Sequence, residues 1–353
     1  MSVSPFDDSL LSSLLGDPQA AALFSTEAEL EGLIAFEIAL ARAEGDVGVI
    51  PADAASTIAA VLGDAALDRA ALAAGVARDG VVVPELVRQL RAGLAADIAP
   101  FVHFGATSQD AIDTGLAIRL ARLGGLLDSR IDAAVAALDA LDARDGAISA
   151  IAHTRMQAAV PVTASRKIAS WRDPLLRNRQ RLASAISDVA VLHFGGAAGT
   201  LDRLGASGPA VAARMASRLG LSCPARPRHS ERDGIAALAS ALSLLTGSLG
   251  KFGQDVALLA QSEVGEVRLA AGGGSSAMPH KLNPVAAEIL VALARFNATL
   301  VAGMHQSLVH ENERSGAAWT LEWMLLPQMA VATAAALRTA TDLARTISFS
   351  ASA

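Results

Sequence analysis

Apolar residues recur at helical spacing along much of the chain. Leu30, Leu33, Ile34, Ile38 and Ala41 form one such stripe, and Ile131, Ala134, Val135 and Leu138 form another. Positions three and four apart share one face of a helix, so each stripe predicts a helix with one side turned to a core. Alanine and leucine dominate the chain and favour that conformation. Alternating strand patterns are scarce, and residues 80–84 (Gly-Val-Val-Val-Pro) are the best short extended candidate. The expected fold class is all-α with a few short extended pieces.

Glycine- and proline-bearing breaks fall at 45–51, 79–84, 97–105, 145–146, 195–208, 222–228 and 271–284. The intervals after residue 105 have room for helices well above the average length. An N-terminal helical domain is therefore expected over 1–105 and a central bundle of long helices over 106–353. The most apolar run, 235–250, falls short of the roughly 20 residues that span a bilayer. Ser240, Ser243, Thr246 and Ser248 also interrupt it, so a buried helix is expected there and no membrane span.

Composition agrees with a large core: of 353 residues, 52% are hydrophobic and 18% charged, which weighs against disorder. A net charge of −6 weighs against nucleic acid as the main partner but leaves room for a local cationic pocket. The single cysteine, Cys223, cannot form an intrachain disulfide, and a reducing, cytoplasmic compartment is expected. The first residues have neither a basic start nor a long apolar run, so no signal peptide is expected. So apolar a chain is expected to hide surface in a subunit interface.

Three segments concentrate polar residues. The first, from His103 to Asp110, precedes a helical run from Ala111. Thr107 with Asp110 fits a capping box, and Ser108 also fits an N-cap. A helix N-terminus presents free N–H groups to a carboxylate, although an ordinary cap explains the same residues. The second, His153 to Gln157, gathers a hydroxyl (Thr154), a guanidinium (Arg155) and an amide (Gln157). Arg155 offers a two-pronged grip on a carboxylate, and a solvated helix face is the bland alternative.

The third segment, 272–284, places three glycines before Ser275 and Ser276, then Lys281, Asn283 and Pro284. Glycines let backbone approach a ligand, and successive N–H groups form an anion-binding nest. Asn283 as N-cap with Pro284 at the first helical position predicts a helix start just beyond Lys281. Together the segments describe a pocket for a small polyanion with a proton-transfer residue on a loop. No metal-ligand spacing or cofactor loop is present, so no metal and no cofactor are expected.

Residues 274–284 match in full the Gly-Ser-Ser-x-Met-Pro-x-Lys-x-Asn-Pro signature of the fumarase/aspartase superfamily, and the chain resembles that superfamily over about 1–345. Residues 105–110, 229–233 and 313–327 resemble more closely the enzymes that lactonise 3-carboxy-cis,cis-muconate, within aromatic-compound degradation. The resemblance implies a homotetramer with active sites shared between subunits. It implies Ser275 and Lys281 as catalytic residues, with Ser275 moving a proton. The substrate-binding set it suggests, with the residue chemistry above, is His103, Thr107, Ser108, Gln109, Thr154, Arg155, Gln157, Ser276, Asn283 and Arg314. The group at the 3-position is either a carboxylate or a sulfonate.

Two departures bear on the reaction. Deaminating and hydrolytic relatives often carry a histidine, as leaving-group acid, where this chain has Arg155. A carboxylate leaving group with a pKa near 4 needs no such acid. Relatives also usually carry a further small helical C-terminal domain, expected to be missing here. The alternative enzyme is an adenylosuccinate- or argininosuccinate-type lyase, and a catalytically silent structural protein is the alternative of another class.

Overall fold

A 38-residue helix organises the chain. The computed structural model describes residues 3–270, 272–274, 278 and 281–350. Two short helices, α1 (Ser12–Leu15) and α2 (Pro18–Ala22), lead into α3 (Thr26–Val47), α4 (Ala52–Gly63), α5 (Arg69–Asp79) and α6 (Val83–Ala92). The long helix is α7 (Ser108–Asp145), followed by α8 (Ala164–Val189), α9 (Gly208–Leu219), α10 (Asp233–Leu259), α11 (Val285–Gln306) and α12 (Ala317–Thr346). Two antiparallel strand pairs accompany them: β1 (Ser149–Thr154) with β2 (Gln157–Thr163), and β3 (Val267–Leu269) with β4 (Ile347–Phe349).

The apolar stripes build two cores. Leu120, Leu127, Ile131 and Leu138 of α7 pack with Trp171 of α8, Leu242 and Leu249 of α10, Leu290 of α11 and Met329 and Leu337 of α12. The second core joins Leu33, Phe36 and Leu40 of α3 to Ile58, Leu86 and Leu90. Leu192, Phe194, Val211 and Met215 return from later in the chain to complete it. Close approach of α10 and α11 depends on Gly253, where a Cβ would stand 2.4 Å from the carbonyl oxygen of Ala287.

The bundle helices alternate in direction, which gives the bundle two chemically distinct ends. At one end the starts of α7, α10 and α12 meet the ends of α8 and α11: Asp113 bonds Arg232 and Trp319, Thr114 bonds the His193 backbone, and Ser240 lies 3.2 Å from His305. At the other end the Asp145 carboxylate accepts from the N–H of Phe349 at 2.9 Å, and the β1–β2 hairpin follows. With a rise of about 1.5 Å per residue, α7 holds the two ends about 57 Å apart.

Four local expectations change. Residues 80–84 do not form a strand: Gly80 caps α5 with φ 74° and Val83 already begins α6. Pro84 suits that first turn because it lacks an N–H that a helix start leaves unpaired anyway. The expected Thr107–Asp110 capping box forms, but Ser108, also expected as a possible N-cap, is the first residue of α7. Residues 153–157 are not a helix face but the tip of the β1–β2 hairpin. At the third segment Pro284, not Asn283, is the N-cap of α11, because Asn283 is drawn into an antiparallel bridge with Gly273. The apolar run 235–250 is part of the 27-residue α10. By length and composition α10 and α11 are both long and apolar enough to cross a membrane, although 61% of the α10 window is buried in the bundle.

Candidate active site

The first polar segment is held by one carboxylate. Asp110, fully buried, accepts from the Thr107 N–H at 2.9 Å, the Gly195 N–H at 2.8 Å and the Gly196 N–H at 2.9 Å. His229 Nε2 lies 2.7 Å from the same carboxylate. The start of α7 is thereby fixed to two distant loops, leaving Ser108 partly exposed. Gly196 has φ 69°, and a Cβ there would meet the Gly105 carbonyl oxygen at 2.8 Å, so the approach requires glycine. His103 stands beside this turn with Nδ1 2.6 Å from Glu37 Oε1. Burial alone lowers the His103 pKa, but Glu37 overrides it and the net shift is upward.

One turn into α7 lies a buried charge cluster. Asp113 accepts from Arg232 Nη1 at 2.7 Å, Trp319 Nε1 at 2.9 Å and Gln109 Nε2 at 3.0 Å. Arg232 also donates to Glu322, through Nε at 2.9 Å and Nη2 at 2.6 Å. Burial pushes the Asp113 carboxyl up, yet the adjacent guanidinium more than offsets this and holds it low. Burial pushes Glu322 up despite the same arginine. His193, enclosed beside them, is pushed down to about 4 by burial and is neutral at pH 7. Gln109 then links the cluster outward: its Oε1 accepts from Arg314 Nε at 2.8 Å. Arg314 lines an open cleft of about 820 Å³ together with Val81, Trp319 and Trp323.

The remaining candidates gather at the opposite end of the bundle. Thr154 and Gln157 pair across the hairpin, and Arg155 and Met156 form its tip with φ of 48° and 67°. His153 and Arg155 line a cleft of about 660 Å³ with Arg166, Lys167 and Lys251. Lys167 is engaged with Glu266 at 3.2 Å, and Lys251 with Asp255. Gly273 and Asn283 exchange two backbone hydrogen bonds of 3.0 Å, closing the base of the third segment just before α11. Lys281 is exposed beside this base. Ser275 and Ser276 lie outside the described residues.

Within the chain, His103, Thr107, Ser108, Gln109 and Arg314 therefore share one end, and Thr154, Arg155, Gln157, Lys281 and Asn283 share the other. Asp113, His193, Arg232 and Glu322 were not among the residues anticipated for the site. The signal for Glu322 is a charge between Trp319 and Trp323 in an otherwise apolar helix, whereas His193 and Arg232 lie outside the helices and carry no such cue.

Comparison with known proteins supports a family assignment. The chain matches the lyase family over residues 17–297. It is 43% identical to a 3-carboxy-cis,cis-muconate cycloisomerase of Pseudomonas aeruginosa, over 91% of this chain and 72% of that protein. It is 40% identical to the enzyme of the same name from Bradyrhizobium diazoefficiens, over 95% of this chain and 76% of that protein. Its structure superposes on the crystal structure of the 3-carboxy-cis,cis-muconate lactonizing enzyme from Pseudomonas putida with a TM-score of 0.91 at 36% identity, over 97% of this chain and 78% of that one. Fold, signature segment and sequence similarity together make this chain a member of the fumarase/aspartase superfamily of lyases.

Proposed function

We propose that the chain is a cycloisomerase that converts a 3-substituted cis,cis-muconate to the corresponding muconolactone, in the cytoplasm, as a step of aromatic-compound degradation. The observation that carries this reading is the 43% identity to a 3-carboxy-cis,cis-muconate cycloisomerase over 91% of the chain. In this reaction a substrate carboxylate oxygen forms a C–O bond to one alkene carbon. The electron pair of that double bond passes to the neighbouring carbon and its carboxylate, giving an enediolate, which then takes one proton. The sum is an isomerisation with no oxidant or reductant. Ser275 supplies the proton and withdraws it in reverse. Lys281, Asn283 and N–H groups of the 272–284 loop stabilise the enediolate oxygens. Thr107, Ser108, Thr154, Arg155 and Arg314 hold the remaining carboxylates.

The active sites are completed by assembly into a homotetramer. Candidates at opposite ends of helices about 33 Å (α11) to 40 Å (α10) long cannot meet around one small molecule. The surface of α11 supports the same reading: an 18-residue window of mean hydropathy 1.7 is only 22% buried within the subunit. Helices from other copies cover this face and bring the opposite ends of different subunits together.

The direct test is turnover of purified protein on 3-carboxy- and 3-sulfo-cis,cis-muconate, followed by loss of the conjugated diene absorbance. Adenylosuccinate and argininosuccinate serve as comparison substrates. Turnover of either muconate supports the reading. Turnover confined to a succinate-type substrate would move the protein to the lyases proper.

A further inference from the structure

Gln109 sits at the centre of a relay that starts in the bundle interior and ends in the cleft. Its side-chain nitrogen has two N–H donors, and both are committed: one to Asp113 Oδ2 at 3.0 Å, the other to the His229 carbonyl oxygen at 2.8 Å. No amide N–H remains for a substrate carboxylate. The Oε1 that faces outward is an acceptor, which repels a carboxylate and attracts the Nε of Arg314 at 2.8 Å. The neighbours also fix the direction of the amide. Asp113 only accepts and Arg314 only donates, so a flipped amide would oppose like groups at both contacts.

The rest of the relay is as constrained. Arg232 is enclosed between Asp113 and Glu322, and the Trp319 indole adds a fourth donor to Asp113 alongside two from Arg232 and one from Gln109. Three helix starts, those of α7, α10 and α12, are tied together there. Arg314 lies just before α12 and also donates from Nη2 to the Ala197 carbonyl oxygen at 3.1 Å. Among the described residues its Nη1 has no hydrogen-bond partner, and Arg314 is one of the residues lining the cleft.

We infer that Gln109 is a positioning residue for Arg314 and makes no contact of its own with the substrate, and that Asp113 and Arg232 act through it by locking the amide. The inference rests on the reading of Arg314 as a substrate-binding residue. It revises the expectation that Gln109 itself holds a carboxylate.

A double-mutant cycle on kcat/KM tests the point. Gln109→Met and Arg314→Met should each lower kcat/KM by about 10²-fold, the scale of a misplaced binding group, mainly through KM. Because Gln109 acts only through Arg314, the double variant should be no worse than Arg314→Met alone. Unfolding midpoints of the variants separate this from loss of fold. If Gln109→Met is poorly folded, Asp113→Asn is compared in the parent and Arg314→Met backgrounds in the same way. Losses that multiply in the double variant would mean that Gln109 contacts the substrate independently, and the inference would fail. A fully active Arg314→Met beside an impaired Gln109→Met would also overturn it. If both single variants keep parental kinetics, the reading of Arg314 itself is wrong, and the inference falls with it.

Discussion

Glu44 lies two turns beyond Glu37 on the buried side of α3, and the two carboxyls have opposite fates. Glu37 pairs with His103 at 2.6 Å. Both oxygens of Glu44 are buried and, among the described residues, have no hydrogen-bond partner. Burial, reinforced by the charge of Glu37, pushes the Glu44 carboxyl from its ordinary 4.5 up to about 9. An acid whose folded-state pKa is raised contributes stability that is full below the unfolded value and is lost as pH climbs toward the folded value.

Glu44→Met should therefore stabilise the fold in a pH-dependent way. Methionine has a similar length and carries no ionisable group. At pH 8, which lies between the ordinary 4.5 and the raised value of about 9, the gain should be at most about 5 kcal/mol, since each unit of pH above 4.5 corresponds to about 1.36 kcal/mol. It should shrink toward pH 5, where the ionisation cost has nearly gone and only the burial of the unpaired, protonated carboxyl remains. Urea unfolding at the two pH values measures both. A variant less stable than the parent at pH 8 would show that the carboxyl has a structural partner after all.

Arg232→Met should be among the most damaging single changes in the bundle. It leaves Asp113 and Glu322 facing each other without their shared cation, in a site where both are about 1% exposed. Removing one member of a buried ion cluster typically costs about 3–5 kcal/mol. Glu322→Gln should cost clearly less, because Arg232 keeps Asp113 and an amide oxygen still accepts from it. Equal losses in the two variants, read from denaturant midpoints, would contradict this ordering.

Much of the bundle is legible from apolar spacing, because α7, α10 and α12 repeat a buried stripe over many turns. The signature at 274–284 is likewise a local string, readable without any fold. What the sequence hides is non-local or conformational. The hairpin at 149–163 turns through Arg155 and Met156 in left-handed geometry, which normally calls for asparagine or glycine. Nothing in those two residue types announces it. The relay from Glu322 to Arg314 joins residues up to 206 positions apart, and only the packed helix starts bring them together. Asn283 looks like a helix cap, but its backbone pairing with Gly273 moves the cap by one residue.

Ser275→Ala should lower turnover by about 10² to 10⁴, the range for a positioned acid or base. The unfolding midpoint should stay at the parental value, so that lost turnover is separated from lost fold. Turnover close to the parent in a fully folded variant would remove Ser275 from the proton transfer.

Sharing of sites between subunits makes a sharper demand. Thr107→Val damages the α7 start, and Lys281→Met damages the loop ahead of α11, at the opposite end of the same bundle. If each site draws these two ends from different subunits, a mixed tetramer contains some sites that carry both lesions and some that carry neither. Each variant alone should be nearly inactive. Unfolding the two together and refolding should then restore part of the parental kcat, with a KM close to that of the parent because the restored sites are intact. Were each site built from one subunit, every site would keep its own lesion whatever its neighbours. A refolded mixture that forms mixed tetramers, detected by differently tagged subunits, and stays as inactive as the separate variants would exclude shared sites.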